Sequence, residues 1–484
     1  MFLNDLYYLL PLLVLAGGAI LTMLTVAVRR NHKVIFGITL VAHVVALVAL
    51  AEIRSSSYTL SPFFIVDGWA IFNLGLILLT SLFVTLVSYA YFEQREERRE
   101  EYYILLLLAE LGAAVLVLSQ HFMALFLGLE LLSVALYALI AYLRTREHSD
   151  EAGIKYLILA ALSSAFLLFG MALVYASTGS MAFLGVADYL STVKELPGLL
   201  LTGFGLMVVG IGFKLGVVPF HMWTPDVYEG APAPVTAFIA TVSKGGMVAL
   251  LIRFFSQVEG YRYEQLMLVF TIIAIASMLA GNLLALRQKN IKRLLAYSSI
   301  AHLGYILVAF LAGTQLGVEA VSFYLVAYFI TSLGAFGVVA LLSDTERDAD
   351  RLKDYRGLLW RRPGTAAVFT AMLLSLAGIP LTAGFVGKFY IIASGVNTQL
   401  WLLVLMLVLN SVIGLFYYIR VIAVMFAQPE PGQHKTRKVL HPALSFASGG
   451  AMAVLALLLV WIGVYPTTLV HLIRGLLAAF ITTP

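Results

Sequence analysis

Residues 212–246 read GFKLGVVPFHMWTPDVYEGAPAPVTAFIATVSKGG. Lys214 and Lys244 stand within apolar runs long enough to cross a membrane, and Pro219, Pro225, Pro232 and Pro234 lie between them. A lysine at the bilayer centre costs roughly 2.5–3.5 kcal/mol on insertion scales. A proline inside a helix removes a backbone hydrogen bond and frees a carbonyl. A charge and a helix break placed together at membrane depth form the pattern of an ion or proton pathway. The plainer alternative is a buried lysine that only ties helices together.

The rest of the chain supports the membrane setting. Of 484 residues, 61% are hydrophobic and 12% charged, whereas a soluble domain is about 25% charged. The chain is an integral membrane protein whose first partner is the lipid bilayer. The net charge of +5 resides in short loops between apolar segments and does not point to nucleic acid. The sequence has no cysteine, which excludes disulfides, thiolate-held iron–sulfur clusters and thiol catalysis on this chain. It lacks the glycine-rich motifs that cradle nucleotides. The first apolar segment follows Asp5 and lacks a basic leader, so it is expected to be a retained helix and not a cleaved signal.

A spanning helix needs about 20 apolar residues, which gives about fourteen spans here, from 6–28 to 443–473. The class is an all-α polytopic membrane protein. The stretches 198–229 and 364–395 are too long for one straight helix, and both are interrupted, by GFKLGVVP and LAGIPLTAGFVG. Broken helices at membrane depth are tolerated where protein or a cavity surrounds them. Basic residues concentrate in alternate loops: Arg29 to Lys33, Arg95 to Arg99, Arg144 and Arg146, Arg287 to Arg293, Arg347 to Arg362, and Lys435 to Lys438. The opposite loops hold little beyond Arg54, Lys194, Arg253, Arg262 and Arg474. The positive-inside rule puts the first set in the cytoplasm and both termini outside. The mixed-charge loops EQREERREE and SDTERDADRLKDYR are expected to be solvated caps without a site.

Spans four to eight and nine to thirteen form two groups of five, each with a broken fourth member. Odd numbers of crossings turn the second group upside down, so two inverted five-helix repeats are expected, with a site near the midplane. The implied units are an N-terminal three-helix segment (1–100), the repeats at 101–256 and 257–428, and a C-terminal transmembrane helix (429–484). The spacing from Glu130 to Lys214 nearly equals that from His302 to Lys388. The match is imperfect, because Lys214 precedes its nearest proline and Lys388 follows Pro380.

These repeats carry the ionisable residues. Glu130, Lys214, Lys244, His302 and Lys388 fall near mid-membrane, and Lys155 just inside one end of its span. Glu130 is the obvious counter-charge among them and is expected to pair with Lys214. An ion pair at about 4 Å is worth roughly 4 kcal/mol at an effective dielectric of ~20. That exceeds the ~2.3 kcal/mol that 100 mV of membrane potential supplies per charge, so making and breaking such a pair can load and unload a proton. Ser163, Ser164, Thr236, Thr241, Ser243, Tyr297, Ser298 and Ser299 stand beside the charged positions and can hold water or relay protons; helix-to-helix hydrogen bonding is the alternative for each. His221 and Glu229 either guard an entrance or lie at the interface. No His/Glu spacing suits a metal.

The run FKLGVVPFHMWTPDVYEGAPAPVTAFIATVSKGG, with LLAYSSIAHLGY and GIPLTAGFVGKFY, resembles the antiporter-like subunits of respiratory complex I (NADH-quinone oxidoreductase), whose core is shared with Mrp-type sodium/proton antiporter subunits. The resemblance implies a proton-translocating subunit of a bacterial inner-membrane complex, with both termini periplasmic. In it Glu130, Lys155, Lys214, Lys244, His302 and Lys388 would transfer protons. It further implies a neighbouring antiporter-like subunit, a small membrane subunit, and FMN, iron–sulfur clusters and quinone on partner chains, with no cofactor on this one. Within that family, Lys388 is a lysine where one sister subunit carries a glutamate, and the chain is expected to stop soon after its last span, without the long amphipathic C-terminal helix of the most distal subunit. A subunit of an Mrp-type antiporter without a redox partner is the alternative.

Overall fold

The computed structural model describes residues 2–53, 57–93, 95, 98–143, 146–193, 195–429 and 442–481. The loop charges Arg54, Arg144, Lys194, Lys435, Arg437 and Lys438, and the terminal Pro484, lie outside the described residues.

The described chain is helical apart from one short hairpin. Helices α1 (Phe2–Val28) and α2 (His32–Glu52) lead to β1 (Tyr58–Leu60) and β2 (Phe64–Val66), paired antiparallel. Then follow α3 (Gly68–Glu93), α4 (Glu101–Leu118), α5 (Phe122–Ile140), α6 (Glu147–Thr178), α7 (Phe183–Thr192), α8 (Gly198–Leu215) and α9 (Trp223–Gly230). Next come α10 (Ala233–Phe238), a π-helical turn (Ile239–Ser243), α11 (Lys244–Gln257), α12 (Glu264–Leu286), α13 (Ile291–Leu311) and α14 (Gln315–Leu342). The chain closes with α15 (Leu358–Arg361), α16 (Pro363–Ala377), α17 (Ala383–Asn397), α18 (Trp401–Phe426), α19 (Pro442–Val464) and α20 (Thr467–Ile481).

Among the described residues, 12 helices are long and apolar enough to cross a membrane, or 13 if the bent pair α19–α20 counts as one span. The stretch 364–395, expected to be a broken span, is not in that count: it is divided into α16 and α17, each 15 residues long and so shorter than a bilayer requires. The span expected at 443–473 is bent. The chain turns by 84° between α19 and α20, where Pro466 removes a backbone donor and disfavours helix at the residue before it.

The α10–α11 span is the most enclosed of the described spans, with every residue from 233 to 255 buried. By contrast α6 and α18 turn large apolar side chains outward, among them Ile158, Leu162, Phe169, Leu405, Leu409 and Phe416. Lipid is as apolar as these side chains, so helices here are held by close packing and polar contacts and not by the hydrophobic effect. The α4–α5 contact shows the packing. A Cβ on Gly112 would lie 2.8 Å from the carbonyl oxygen of Gly128, so only glycine lets the two backbones approach this closely.

Two loops depart from the solvated caps expected of them. Asp348 is buried and gathers Lys292 Nζ at 2.8 Å, Arg146 at 3.1 Å and the Tyr91 hydroxyl at 2.6 Å. Arg95 is buried beside it and donates to the carbonyls of Tyr91 and Asp344. The charges of EQREERREE and SDTERDADRLKDYR thus turn inward in part and clamp several helices together. Arg253 also differs from its expected place in a loop. It is fully buried on α11 and forms a two-pronged pair with Asp67, each contact 2.8 Å.

Candidate functional site

Both long stretches are broken as their prolines and glycines predict, and the two breaks share one geometry. Helix α8 ends at Gly216 (φ +72) and α16 at Gly378 (φ +84). In each, the glycine amide and the next amide turn back onto the last helical carbonyls: Gly216 and Val217 onto Gly212, Gly378 and Ile379 onto Leu374. This left-handed cap is the conformation that glycine adopts without a Cβ penalty. It stops the helix inside the bundle and leaves polar backbone at depth.

Lysine amines lie against both breaks. Lys388, on α17, reaches back to donate to the carbonyls of Leu376 and Ala377 at 3.0 Å each, and to Ser411 Oγ at 2.9 Å. A cation there complements the negative end of the α16 dipole. This reach also explains why Lys388 follows its proline in sequence. At the first break, a Cβ on Gly216 would lie 3.7 Å from the Lys244 amine, and Thr224 Oγ1, also beside it, is buried without a hydrogen-bond partner.

Lys214 is buried on the last turn of α8. Its amine donates to Ser133 Oγ at 2.9 Å and to the Tyr156 hydroxyl at 3.0 Å. Glu130 accepts from Ser164 at 2.5 Å. The expected direct pairing of Glu130 with Lys214 is absent: no ion pair within 4.0 Å joins them among the described residues. Ser133, one turn along α5 from Glu130, takes the lysine's hydrogen bond in its place.

Lys244 follows the π-helical turn and is almost completely buried. Such turns inside α-helices are frequent at functional sites. Its amine donates to Ser299 Oγ at 2.6 Å, which also accepts from the Tyr328 hydroxyl at 2.6 Å. One residue back on α13, Ser298 bonds the Tyr418 hydroxyl. Tyr418 lies 3.1 Å from His302 Nε2, and Tyr324 lies 2.6 Å from His302 Nδ1. The Tyr305 ring faces the Lys388 amine, 5.2 Å from its centroid. Polar side chains therefore follow one another from Glu130 past Lys214, Lys244 and His302 to Lys388 and Ser411.

Lys155 stands apart from this band. It is 43% exposed and pairs with Glu151 at 2.5 Å and Asp226 at 3.0 Å. Arg293 pairs with both Asp226 and Glu229, at 2.7 and 2.8 Å, so Glu229 belongs to this outer cluster. The reason is local: Lys155 lies two turns from the start of α6, where its stem reaches the surface. Sequence reasoning missed the tyrosines Tyr156, Tyr324, Tyr328 and Tyr418, and also Asp226. It missed one pair that its own rule could have found. His43 and Glu110 stand in the apolar runs LVAHVVAL and LLAELGAA, and both are fully buried.

The fold and the buried band define an antiporter-like, multi-pass membrane subunit. Residues 119–414 match the transmembrane family described as NADH:quinone oxidoreductase/Mrp antiporter. The chain is 51% identical to NADH-quinone oxidoreductase subunit N of Nitrosospira multiformis, over 97% of this chain and 96% of that protein. A chain of respiratory complex I from Thermus thermophilus matches with a TM-score of 0.81 and 31% identity, over 95% of this chain and 98% of that one. A chain of the Mrp complex from Dietzia sp. matches with a TM-score of 0.85 over 100% of this chain and 98% of that one, but at 21% identity it shows the fold alone. The chain belongs to the subunit N family of NADH-quinone oxidoreductase, and the Mrp alternative has the weaker support.

Proposed function

We propose that this chain moves protons across the membrane within an NADH:quinone oxidoreductase, driven by electron transfer on partner subunits. FMN, the iron–sulfur clusters and quinone would reside on those partners, consistent with a chain that has no cysteine. Its neighbours would be another antiporter-like subunit and a small membrane subunit. Its setting would be a bacterial inner membrane, with the loops rich in arginine and lysine on the cytoplasmic side and both termini periplasmic.

The observation that carries the reading is Lys244. It is 1% exposed, on the most enclosed span, and Ser299 is its hydrogen-bond acceptor. No carboxylate lies within ion-pair distance of it among the described residues. Ionisable residues held at membrane depth are costly and functional by default. Its amine can pass between charged and neutral forms at that depth. Lys214, with Ser133 and Tyr156, would serve the half-channel of residues 101–256. His302 and Lys388 would serve that of residues 257–428. The matched caps at Gly216 and Gly378 support reading these stretches as inverted repeats. Glu130 would stabilise the charged form of Lys214 from a distance, and Lys155 would act at the outer mouth.

The test replaces Lys244 with methionine and measures proton translocation and NADH-to-quinone electron transfer side by side in native membrane vesicles. Electron transfer with a marked loss of translocation is expected. Parental translocation in an assembled complex overturns the reading.

A further inference from the structure

The lysine band is not the only ionisable group sealed at this depth. His43 on α2 and Glu110 on α4 are both 0% exposed, with His43 Nε2 2.8 Å from Glu110 Oε2. The depth follows from packing around α4. Gly112 meets Gly128 of the helix that carries Glu130, and Ala113 meets Gly246 of the helix that carries Lys244. Glu110 lies within one turn of both contacts, so the pair sits level with the band. It also lies outside residues 119–414.

The pair is incompletely satisfied. His43 Nδ1 is held by the Thr39 carbonyl at 2.7 Å. Nε2 faces Glu110 Oε2 as an ion pair, and Glu110 Oε1 has no hydrogen-bond partner among the described residues. On the adjacent α3, Ser81 Oγ and Thr85 Oγ1 are likewise buried and unpartnered. The Ser88–Tyr102 bond (2.7 Å) sets the antiparallel register of α3 against α4, which brings Ser81 to the depth of Glu110. Glu110 Oε1, Ser81 Oγ and Thr85 Oγ1 are thus buried polar atoms without a hydrogen-bond partner around a buried ion pair, and leaving such groups unmet is costly.

A second polar cluster lies toward one end of α2 and α4, with buried Leu106 and Leu107 between it and Glu110 along α4. Two turns along α4, Tyr103 bonds His32 Nε2 at 2.9 Å, and His32 Nδ1 lies 2.5 Å from Glu93. His32, Glu93 and Arg99 line an open cleft with Lys33 and Glu100.

Other charged groups face elsewhere. Glu130 is bonded to Ser164, Lys244 to Ser299 and Arg253 to Asp67. On α1, Asp5, Tyr7 and Tyr8 lie at the helix start, several turns from Gly18, which packs against Ala42 and Leu107. On α3, Tyr89, Tyr91 and Glu93 lie at the His32 end, and on α5 Tyr137 lies nearly two turns beyond Glu130.

We propose that His43 and Glu110 form a second proton-binding site, held between α2 and α4 and exchanging protons with the face that bears His32 and Glu93. The pair holds one proton, on Glu110 or on His43 Nε2, and is then neutral, the state that low-dielectric burial favours. Its use in pumping rests on the function proposed above, but its existence does not.

The test is infrared titration of the detergent-purified complex between about pH 5 and 9, the range in which a histidine-linked proton exchanges. One proton-binding step is expected, with acid-carbonyl or imidazolium bands that disappear in Glu110→Gln and are altered in His43→Gln. Glu93→Gln should keep the bands and slow their hydrogen–deuterium exchange. If both variants of the pair assemble and their spectra superimpose on the parent, the site does not exist. If Glu93→Gln leaves exchange unchanged, the pair does not exchange protons with the face that bears His32 and Glu93. No turnover is needed, so either failure leaves the Lys244 test untouched.

Discussion

Glu130 and Lys214 stand on neighbouring helices and do not touch: the lysine donates to Ser133 at 2.9 Å, and the carboxylate accepts from Ser164 at 2.5 Å. A direct pair would be worth roughly 4 kcal/mol at ~4 Å, and so strong a contact would hold a proton on the lysine. Separation by a serine weakens the attraction.

The first prediction follows from that spacing. Glu130→Gln removes the negative charge that supports the ammonium form of Lys214 across the gap. Proton translocation should fall several-fold, while electron transfer in the assembled complex is less affected. Ser133→Ala should lower translocation less, because Tyr156 still accepts from the amine at 3.0 Å. Vesicle acidification against NADH oxidation reads both. Equal and parental rates in the two variants would remove this corner from the path.

Lys214→Arg tests release in isolation. Arginine keeps the positive charge but is effectively never deprotonated in proteins. The site should stay loaded, and translocation should fall at least as far as in Glu130→Gln. The larger fork must also fit against Ser133 and Tyr156, so assembly is checked by the yield of intact complex. Parental pumping with arginine in place would mean that Lys214 is only a fixed charge.

How much of this was legible in the sequence depends on what each residue needs. Lys214, Lys244, His302 and Lys388 were legible because an ionisable residue in an apolar run is rare and costly whatever surrounds it. Both breaks were legible from glycine and proline. The tyrosines were not, since a tyrosine in a membrane helix is ordinarily packing or interface, and only the fold brings Tyr418 and Tyr324 to His302. Asp348 was hidden because a charged loop reads as solvated until its partners, contributed by α3, α13 and the segment before α6, are known. The bend at Pro466 was written in the sequence, and hydropathy alone carried the reading across it.

Asp348 gives a stability prediction with a definite pH range. Burial pushes its carboxyl up, but Lys292 and Arg146 beside it outweigh this and hold it below the usual carboxylate range. A depressed value means that the stabilisation is complete above the unfolded value of ~3.9 and is lost as pH falls through the folded value. Asp348→Asn leaves two largely buried cations without their partner, at a cost of about 3–5 kcal/mol. Thermal unfolding should show a gap between parent and variant that is constant from about pH 5 to 8 and closes only below about pH 4. A gap that shrinks near neutrality would assign the stabilisation to another group.

The last prediction concerns Ser299 on α13, whose hydroxyl accepts from Lys244 of α11 and from Tyr328 of α14, both at 2.6 Å. Its hydroxyl has a proton of its own, so it can pass one proton on while receiving another. Ser299→Ala removes both acceptor and relay and leaves the Lys244 amine and Tyr328 hydroxyl buried without this partner, a desolvation cost of about 1–3 kcal/mol. Ser299→Thr keeps the hydroxyl and adds one methyl group in a fully packed site. If Ser299 relays protons, alanine should cut translocation strongly and threonine should restore most of it, with assembly similar in both. If Ser299 only braces the helices, the two variants should order by thermal stability and pump alike. Electron transfer, translocation and the unfolding temperature measured on the same preparations separate the two outcomes, and equal pumping by alanine and threonine would take Ser299 off the path.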